Sequence, residues 1–258
     1  MSGALAAEVR SSSMTRRRWI ADEAWGNHAA LTGEHADHLV RVLRARVGQE
    51  FDISLGAFVR RGQITLIADR RVEFELGEEV PASTAVNVTL LLAVFKFDRM
   101  EWAVEKCTEL GVSRIVPVVA RRTDAHLAAA SSKRGERWRR LARQAAEQSR
   151  RAAPPEITTP LKLQEAVGTA GGLRIVLAET EGKTLLRDAL AQLNEGDAGE
   201  RSLASSVILA IGPEGGWTDG ELQHFEKAGW ISASLGQTIL RAETAAIAAT
   251  AVTISVLA

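Results

Sequence analysis

Residues 86–95 read Val-Asn-Val-Thr-Leu-Leu-Leu-Ala-Val-Phe, an almost uninterrupted apolar run. A strand of this composition is typical of parallel sheets, in which helices cover both faces of each strand. The run is far shorter than the roughly 20 apolar residues that a transmembrane helix needs, and no other run in the chain reaches that length. We therefore predict a buried parallel strand, and no membrane partner.

The chain after this strand alternates between helical and extended patterns. Apolar spacing after Asp98 predicts a helix that is capped by Asp98 with Glu101 and ends at Gly111. A second capping box, Thr218 with Glu221, starts a later helix. Further strands are predicted at 115–119, 174–178, 207–211 and 231–235, and further helices at 133–151, 184–193 and 243–257. Five strand–helix units of this kind predict an open α/β sheet.

The N-terminal part has a different pattern. Residues 16–82 predict several short strands separated by glycines, with one helix over Glu34–Arg44 that places Leu39, Val42 and Leu43 on one face. A small β-barrel with one helix fits this block, and residues 81–84 form a linker. We expect residues 1–14 to be a flexible extension, residues 15–82 to be the barrel, and residues 83–258 to be the α/β domain.

The net charge of zero conceals an uneven distribution of charge. Residues 83–160 carry 14 basic and 8 acidic groups, whereas residues 161–258 carry 7 and 12. Residues 121–151 alone contain 10 Lys or Arg and only 3 Asp or Glu. A general preference for arginine is one alternative explanation of its abundance, but it does not explain this clustering. Arginine suits bidentate contacts with phosphate, so the cluster predicts one local nucleic-acid surface.

Cysteine and histidine give little sign of a metal site. The only cysteine, Cys107, lies on the apolar face of a predicted helix and is interpreted as a packed core thiol. His35 and His38 have a possible ligand spacing, but no carboxylate-rich partner set accompanies them, which favours a surface or RNA-facing role. With one cysteine and no secretory signal, we expect a cytoplasmic protein without a bound metal.

Three loops are candidates for ligand binding, because open α/β sheets bind ligands beyond the carboxyl ends of their strands. They are Glu179–Gly182, Gly212–Gly216 and Gly236–Thr244. Glycine lets a ligand approach the backbone closely, although these glycines alternatively only shape a turn. The Gly-Pro-Glu-Gly-Gly sequence is neither a dinucleotide fingerprint nor a P-loop.

Arg241 and Glu243 flank the start of a nearly uncharged helix. One interpretation is structural: the two residues form an ion pair, or the carboxylate interacts with the helix dipole. The other is functional: Arg241 orients a substrate and Glu243 contacts a cofactor. The sequence leaves both open.

Five segments together resemble the RsmE family, the ribosomal RNA small subunit methyltransferase E proteins of the SPOUT superfamily. The resemblance covers roughly residues 15–258. Asp37 precedes His38 where a second histidine is common in that family. The segments are His38–Arg44, Lys96–Glu101 with Glu105–Val112, Glu147–Arg151, Ile211–Gly216 and Leu235–Ala245.

The resemblance implies a fold and an activity. The fold is α/β, with a C-terminal SPOUT-type parallel sheet containing a trefoil knot and a small N-terminal PUA-like RNA-binding β-barrel. The implied activity is S-adenosylmethionine-dependent methylation of ring nitrogen 3 of a uridine in 16S ribosomal RNA, by a homodimer. Alternatives are a non-catalytic RNA-binding or ribosome-assembly protein, and a SPOUT methyltransferase acting on tRNA or another rRNA nucleotide.

The resemblance also implies roles for particular residues. Arg241 is the choice for stabilising the uracil anion, and Glu214 or Glu243 ranks below it as a possible base. Cofactor contacts are expected from Ala178, Glu179, Ile211, Gly212, Pro213, Glu214, Gly215, Gly216, Leu235, Gly236, Ile239, Leu240, Arg241, Glu243, Thr244 and Ala245. RNA contacts are expected from Arg16, Arg17, Arg18, Arg44, Arg121, Arg122, Arg137, Arg139, Arg140, Arg143, Arg150 and Arg151.

Overall fold

The computed structural model describes residues 18–56, 58–80, 87–169, 171–191 and 206–257. The predicted extension 1–14, the linker 81–84, and Arg16 and Arg17 lie outside these ranges. The described residues form two compact units: the first comprises those up to residue 80 together with 146–153, and the second comprises the other described residues from 87 onward.

The first unit is a sheet of six strands: β1 (Arg18–Ile20), β2 (Glu23–Trp25), β3 (His28–Thr32), β4 (Glu50–Ser54), β5 (Val59–Ala68) and β6 (Arg71–Val80). Their order is β1-β4-β5-β6-β3-β2. All neighbours are antiparallel except β1 and β4. Leu31, Ile53 and Phe74 are fully buried in its core. The prediction of a β-rich N-terminal block is confirmed.

The helical segment between β3 and β4 differs from the prediction. Helix α1 covers only Gly33–Asp37, and a π-helical turn follows over His38–Val42. The Leu43 amide donates to the His38 carbonyl oxygen at 3.2 Å, five residues back. This wider turn changes which side chains face the sheet. Leu39 is therefore fully buried, but Val42 is 65% exposed, so the predicted common face was wrong for Val42.

The second unit is a seven-stranded sheet in which every pair is parallel. The strands are β7 (Asn87–Ala93), β8 (Arg114–Val119), β9 (Glu156–Ile157), β10 (Leu161–Lys162), β11 (Leu173–Leu177), β12 (Ser206–Ile211) and β13 (Ile231–Ala233). Their order is β10-β8-β7-β12-β11-β13, and β9 pairs with β8. The predicted parallel α/β sheet is confirmed.

Strand β7 occupies the middle of this sheet, as its apolar sequence predicts. Val88, Leu90 and Leu92 pack into the core on one face, and Leu91 and Ala93 into the core on the other. The same strand pairs with β8 on one side and β12 on the other. Burial of both faces explains why polar residues are almost absent from it.

Helices cover the sheet on both sides. They are α2 (Phe97–Leu110), α3 (Ala125–Gln148), α4 (Leu163–Val167), α5 (Leu186–Ala191), α6 (Asp219–Lys227) and α7 (Ala242–Leu257). None of the described helices combines the length and apolar composition that crossing a membrane requires.

Two helix starts differ from the predictions. Helix α3 begins at Ala125 rather than at residue 133, because alanine favours helix and Asp124 accepts a hydrogen bond from the His126 amide at 3.1 Å. Helix α2 begins at Phe97, and no side chain caps it. The proposed cap residue Glu101 instead accepts from Arg137, at 2.6 Å from Nε and 2.8 Å from Nη2.

Other end signals are confirmed. Gly111 ends α2 with φ +116°, a conformation that side chains disfavour. The Thr218–Glu221 capping box starts α6. Cys107 is fully buried between α2 and α7, where the Thr250 hydroxyl lies 3.5 Å from its Sγ. Burial raises the pKa of Cys107 to about 12, as expected of a core thiol.

Candidate active site

A pocket lies at the carboxyl ends of β11, β12 and β13. Because these strands are adjacent and parallel, the loops that follow them meet at one edge of the sheet. The space has a volume of about 950 Å³, including its opening to solvent. Thirteen of the residues predicted to contact a cofactor line it: Ala178, Glu179, Ile211, Gly212, Pro213, Glu214, Gly215, Gly216, Leu235, Gly236, Ile239, Leu240 and Ala245.

Three predicted residues do not line the pocket, namely Arg241, Glu243 and Thr244. Helix α7 begins at Ala242, and successive helical residues point in different directions around the axis. Ala242 and Ala245 therefore face the pocket, whereas Arg241 and Thr244 are exposed and Glu243 is buried elsewhere.

Sequence reasoning also missed part of the lining. Gln237 and Thr238 lie inside the predicted loop Gly236–Thr244 but were not among the predicted cofactor contacts, and Trp217 directly follows the predicted loop Gly212–Gly216. Arg122 was predicted to contact RNA but lines this pocket. Arg122 follows β8, a strand of the same sheet. Because such sheets bind ligands beyond the carboxyl ends of their strands, this position could have predicted it.

The Gly212–Gly216 loop is a tight turn held by its neighbours. Gly216 has φ +68°, and its amide donates to the Pro213 carbonyl oxygen at 2.8 Å. The Trp217 indole donates to the Leu177 carbonyl oxygen at 3.1 Å. A Cβ atom on Gly212 would lie 3.3 Å from that indole nitrogen. The glycines shape the turn and also leave its backbone open to the pocket.

One arginine links the two carboxylates that the sequence offers as bases. Arg99, in the first turn of α2, places Nη1 2.9 Å from Glu214 Oε1 and Nε 3.8 Å from Glu243 Oε1. Glu243 is only 3% exposed, and its Oε2 is buried without a hydrogen-bond partner. The structural interpretation of the sequence expected an ion pair between Arg241 and Glu243. Among the described residues Glu243 pairs with Arg99 instead.

The loop after β11 is fixed by its own carboxylate. Glu181 Oε1 accepts from the amide of Lys183 at 2.8 Å and from that of Thr184 at 3.1 Å. These two hydrogen bonds lower the pKa of Glu181 below its usual value. The loop that carries Glu179 and Thr180 into the pocket is therefore held at its end by the Glu181 carboxylate, which bonds to two backbone amides.

The predicted RNA-binding arginines fall in both units. In the first unit, Arg44 is exposed with φ +53°, and Arg18 Nη1 donates to the Arg150 carbonyl oxygen. Burial lowers the pKa of Arg151, which is only partly exposed. In the second unit the predicted set is Arg121, Arg122, Arg137, Arg139, Arg140 and Arg143.

Fewer of the predicted arginines lie together on one exposed side of α3 than the sequence predicts. Lys133, Arg137 and Arg140 are exposed with the spacing i, i+4 and i+7, which places them on one side of the helix. Arg137 is paired with Glu101, and Arg139 donates from Nε to the Ile157 carbonyl oxygen at 3.1 Å. Lys133, which was not among the predicted RNA contacts, joins this face.

The histidine pair is not part of a metal site in the described residues. His35 Nδ1 lies 3.0 Å from both carboxylate oxygens of Asp22, and His38 packs edge-on against Trp19. Both contacts tie the helical segment to the sheet of the first unit.

Comparison with known proteins identifies the class first. A family model described as an RNA methyltransferase domain matches residues 82–254, which include the whole seven-stranded sheet and the pocket. The fold and the pocket therefore define an RNA methyltransferase domain.

Individual relatives identify the family. The ribosomal RNA small subunit methyltransferase E of Mycobacterium bovis is 36% identical over 235 residues, which cover 87% of this chain and 85% of that protein. The protein of that name from Synechocystis is 33% identical over 219 residues, covering 83% and 69%. This chain belongs to the ribosomal RNA small subunit methyltransferase E family, and the resemblance of its motifs is confirmed.

Two solved structures share the fold along most of the chain. The ribosomal RNA small subunit methyltransferase E of Neisseria gonorrhoeae bound to S-adenosyl methionine has a TM-score of 0.77 at 27% identity, over 92% of this chain and 95% of that one. A putative methyltransferase of Legionella pneumophila in complex with the same cofactor has a TM-score of 0.79 at 26% identity, over 93% and 97%.

Proposed function

We propose that this protein transfers the methyl group of S-adenosylmethionine to ring nitrogen 3 of one uridine in 16S ribosomal RNA. Membership of the family supports rRNA methylation, and two structures of the same fold hold this cofactor. The observation that carries the proposal is the pocket at the ends of β11, β12 and β13. Two of the five segments that resemble the family, Ile211–Gly216 and Leu235–Ala245, line it together with the loop after β11.

The pocket has the character that a nucleoside cofactor needs. Ile211, Leu235 and Leu240 supply apolar walls, and the loop backbones supply hydrogen-bonding groups. Cβ atoms at Gly212, Gly215 and Gly216 would each lie 3.3 Å from a neighbouring side chain, so a larger residue would press on that neighbour, and glycine avoids this contact. We infer that the residues of Gly212–Gly216 and Leu235–Leu240 hold the cofactor, which supplies the electrophilic methyl group.

The protein must also prepare the nucleophile. The N3 atom of uracil carries a proton, which has to leave before or during attack, and negative charge then develops on the ring. Arg241 is our choice for stabilising that charge, because it is exposed between Leu240 and Ala242, two residues of the pocket wall. Glu214 or Glu243 remains the candidate base, and the shared partner Arg99 orients both carboxylates.

We further infer the organisation that the family resemblance implies. Residues 15–82 are a PUA-like barrel that contacts RNA, residues 83–258 are a SPOUT domain with a trefoil knot, and the active form is a cytoplasmic homodimer. The basic face of α3 contributes phosphate contacts that hold the target strand unpaired, as chemistry on a base requires.

The activity is tested on the RNA itself. In a strain that lacks the gene, mass mapping of 16S rRNA should find one uridine without its methyl group, and the purified protein with S-adenosylmethionine should restore that methyl group. If the 16S rRNA of the deletion strain keeps every uridine methylation that the parent strain has, the proposal is contradicted.

Cofactor binding separates the enzyme from a non-catalytic assembly protein of the same fold. A ligand that binds only the folded state raises the thermal midpoint as its concentration rises. S-adenosylmethionine should therefore raise the midpoint of this protein, and ATP at the same concentration serves as the control. An unchanged midpoint at millimolar cofactor would favour the non-catalytic alternative.

A further inference from the structure

Arg122 connects two loops that are distant in the sequence. It lies in the loop after β8, and its Nη1 donates to the Gly215 carbonyl oxygen at 2.6 Å and to the Trp217 carbonyl oxygen at 3.2 Å. Both acceptors belong to the segment after β12, about 93 residues further along the chain. The guanidinium therefore fastens the end of the glycine loop that lines the pocket.

Gly215 gives independent support for this contact. Unlike Gly216, it does not have a left-handed φ, so its backbone conformation does not require glycine. A Cβ atom at position 215 would instead lie 3.3 Å from Arg122 Cδ and 3.6 Å from Arg122 Cβ. The absence of a side chain at 215 is thus explained by the close approach of Arg122.

The loop that carries Arg122 is itself anchored. The Arg121 amide donates to Glu221 Oε1 at 2.7 Å, and Glu221 is buried at the start of α6. The Thr123 hydroxyl bonds to the Val94 carbonyl oxygen at 3.1 Å. The backbone before Arg122 and the side chain after it are thus both bonded to neighbouring elements. Arg122 therefore extends from an anchored loop to the glycine loop.

We propose that Arg122 is a positioning residue that holds the Gly212–Trp217 segment in the shape that binds S-adenosylmethionine. The inference rests on the proposed function. A loop rich in glycine loses much conformational freedom when it closes on a ligand, and ordering it in advance removes that cost from binding. Arg122 therefore acts on cofactor affinity, a role that the arginine cluster in the sequence does not predict for it.

Arg121 provides the matched control. It has the same charge, is the adjacent residue and is also exposed, but its bond to Glu221 uses only the backbone amide. Replacing its side chain keeps that bond and removes one positive charge. Any effect that both substitutions share comes from charge, and an effect specific to position 122 comes from the hydrogen bonds to Gly215 and Trp217.

The test is calorimetric titration of the full chain with S-adenosylmethionine in the absence of RNA. Arg122→Met keeps the aliphatic stem and should weaken cofactor affinity about tenfold, the effect of losing hydrogen bonds from a charged donor. Arg122→Lys, which keeps a donor, should restore part of the loss, and Arg121→Met should bind within about twofold of the unaltered protein. Thermal midpoints without cofactor check that each variant is folded.

Several outcomes would overturn the inference. Arg122→Met with unaltered cofactor affinity would do so, as would an equal loss in Arg121→Met. A change confined to the affinity for 16S rRNA fragments and its salt dependence would return Arg122 to the RNA surface. If the unaltered protein does not bind S-adenosylmethionine at all, the proposed function is wrong, and the role of Arg122, which rests on it, is wrong as well.

A double substitution tests the same contact from the other side. Gly215→Ala should weaken cofactor binding because its methyl group displaces Arg122. In the Arg122→Met background, whose side chain yields more easily, Gly215→Ala should have a clearly smaller effect. Strictly additive losses would mean that the two residues act separately.

Discussion

Arg241 is exposed, yet it follows one residue of the pocket wall and precedes another. This position suits a group that meets the substrate at the mouth of the pocket without contributing to cofactor binding. Arg241→Ala should therefore retain cofactor affinity by calorimetry and lose about a hundredfold in kcat, as when one stabilising donor is removed from an active site. Arg241→Lys, which keeps the charge, should recover part of the rate. Turnover of Arg241→Ala near that of the unaltered enzyme would remove its assigned role.

Arg99 gives a second prediction for single residues, because Glu243 is buried and Arg99 is its only ionic partner in the described chain. Arg99→Met leaves that carboxylate without a counter-charge and should lower the free energy of unfolding by about 1–3 kcal/mol in urea titrations. In a Glu243→Gln background the same substitution should cost much less. Equal costs in the two backgrounds would show that the residues are not coupled.

Glu214 serves as the control for this cycle. It also pairs with Arg99, at 2.9 Å, but its side chain is 36% exposed. An exposed ion pair contributes little to stability, so Glu214→Gln should change the free energy of unfolding by less than about 1 kcal/mol. The contrast between the two glutamates separates the effect of burial from that of distance.

Helix α3 carries the prediction that belongs to a whole element. Lys133 and Arg140 lie on its exposed face, whereas Arg137 between them is held by Glu101. Lys133→Gln with Arg140→Gln should weaken binding to 16S rRNA fragments and reduce the slope of log K against log salt by about 0.7–0.9 for each phosphate that the protein no longer neutralises. Lys227→Gln with Arg187→Gln, on α6 and α5, is the control. An unchanged slope in the α3 variant would direct attention to another surface.

Some strands and helices could be predicted from the sequence, and others could not. Strand β7 was predictable because burial on both faces excludes polar residues, and α6 because Thr218 and Glu221 form a capping box. Strands β9 and β10 have two residues each, which is too short for any periodic pattern. The π-helical turn after α1 was not predictable, since its apolar spacing resembles that of an α-helix.

For the whole molecule, the pocket was predictable in part because sheet topology places consecutive loops together. The glycine-rich composition of these segments indicated loops that a ligand can approach. Because loops after adjacent parallel strands meet at one edge of the sheet, the topology places them together. The hydrogen bonds of Arg99 and Arg122 were not predictable, because each joins residues about a hundred positions apart or more. Charge alone predicted an RNA contact for Arg122, and it gave no sign that its guanidinium bonds to Gly215 and Trp217 in the pocket lining.

Because Cys107 is buried between α2 and α7, its chemical labelling can report when these two helices separate. A thiol reacts with alkylating reagents only as the thiolate and only when reagent can reach it, and neither condition holds in a fully buried group whose pKa is raised to about 12. Because Cys107 is the only cysteine, each labelling event should record one separation of α2 from α7. Labelling at pH 8 should thus be limited by that opening: by its equilibrium when reclosing is faster than alkylation, and by its rate when alkylation is faster. It should slow when S-adenosylmethionine is added.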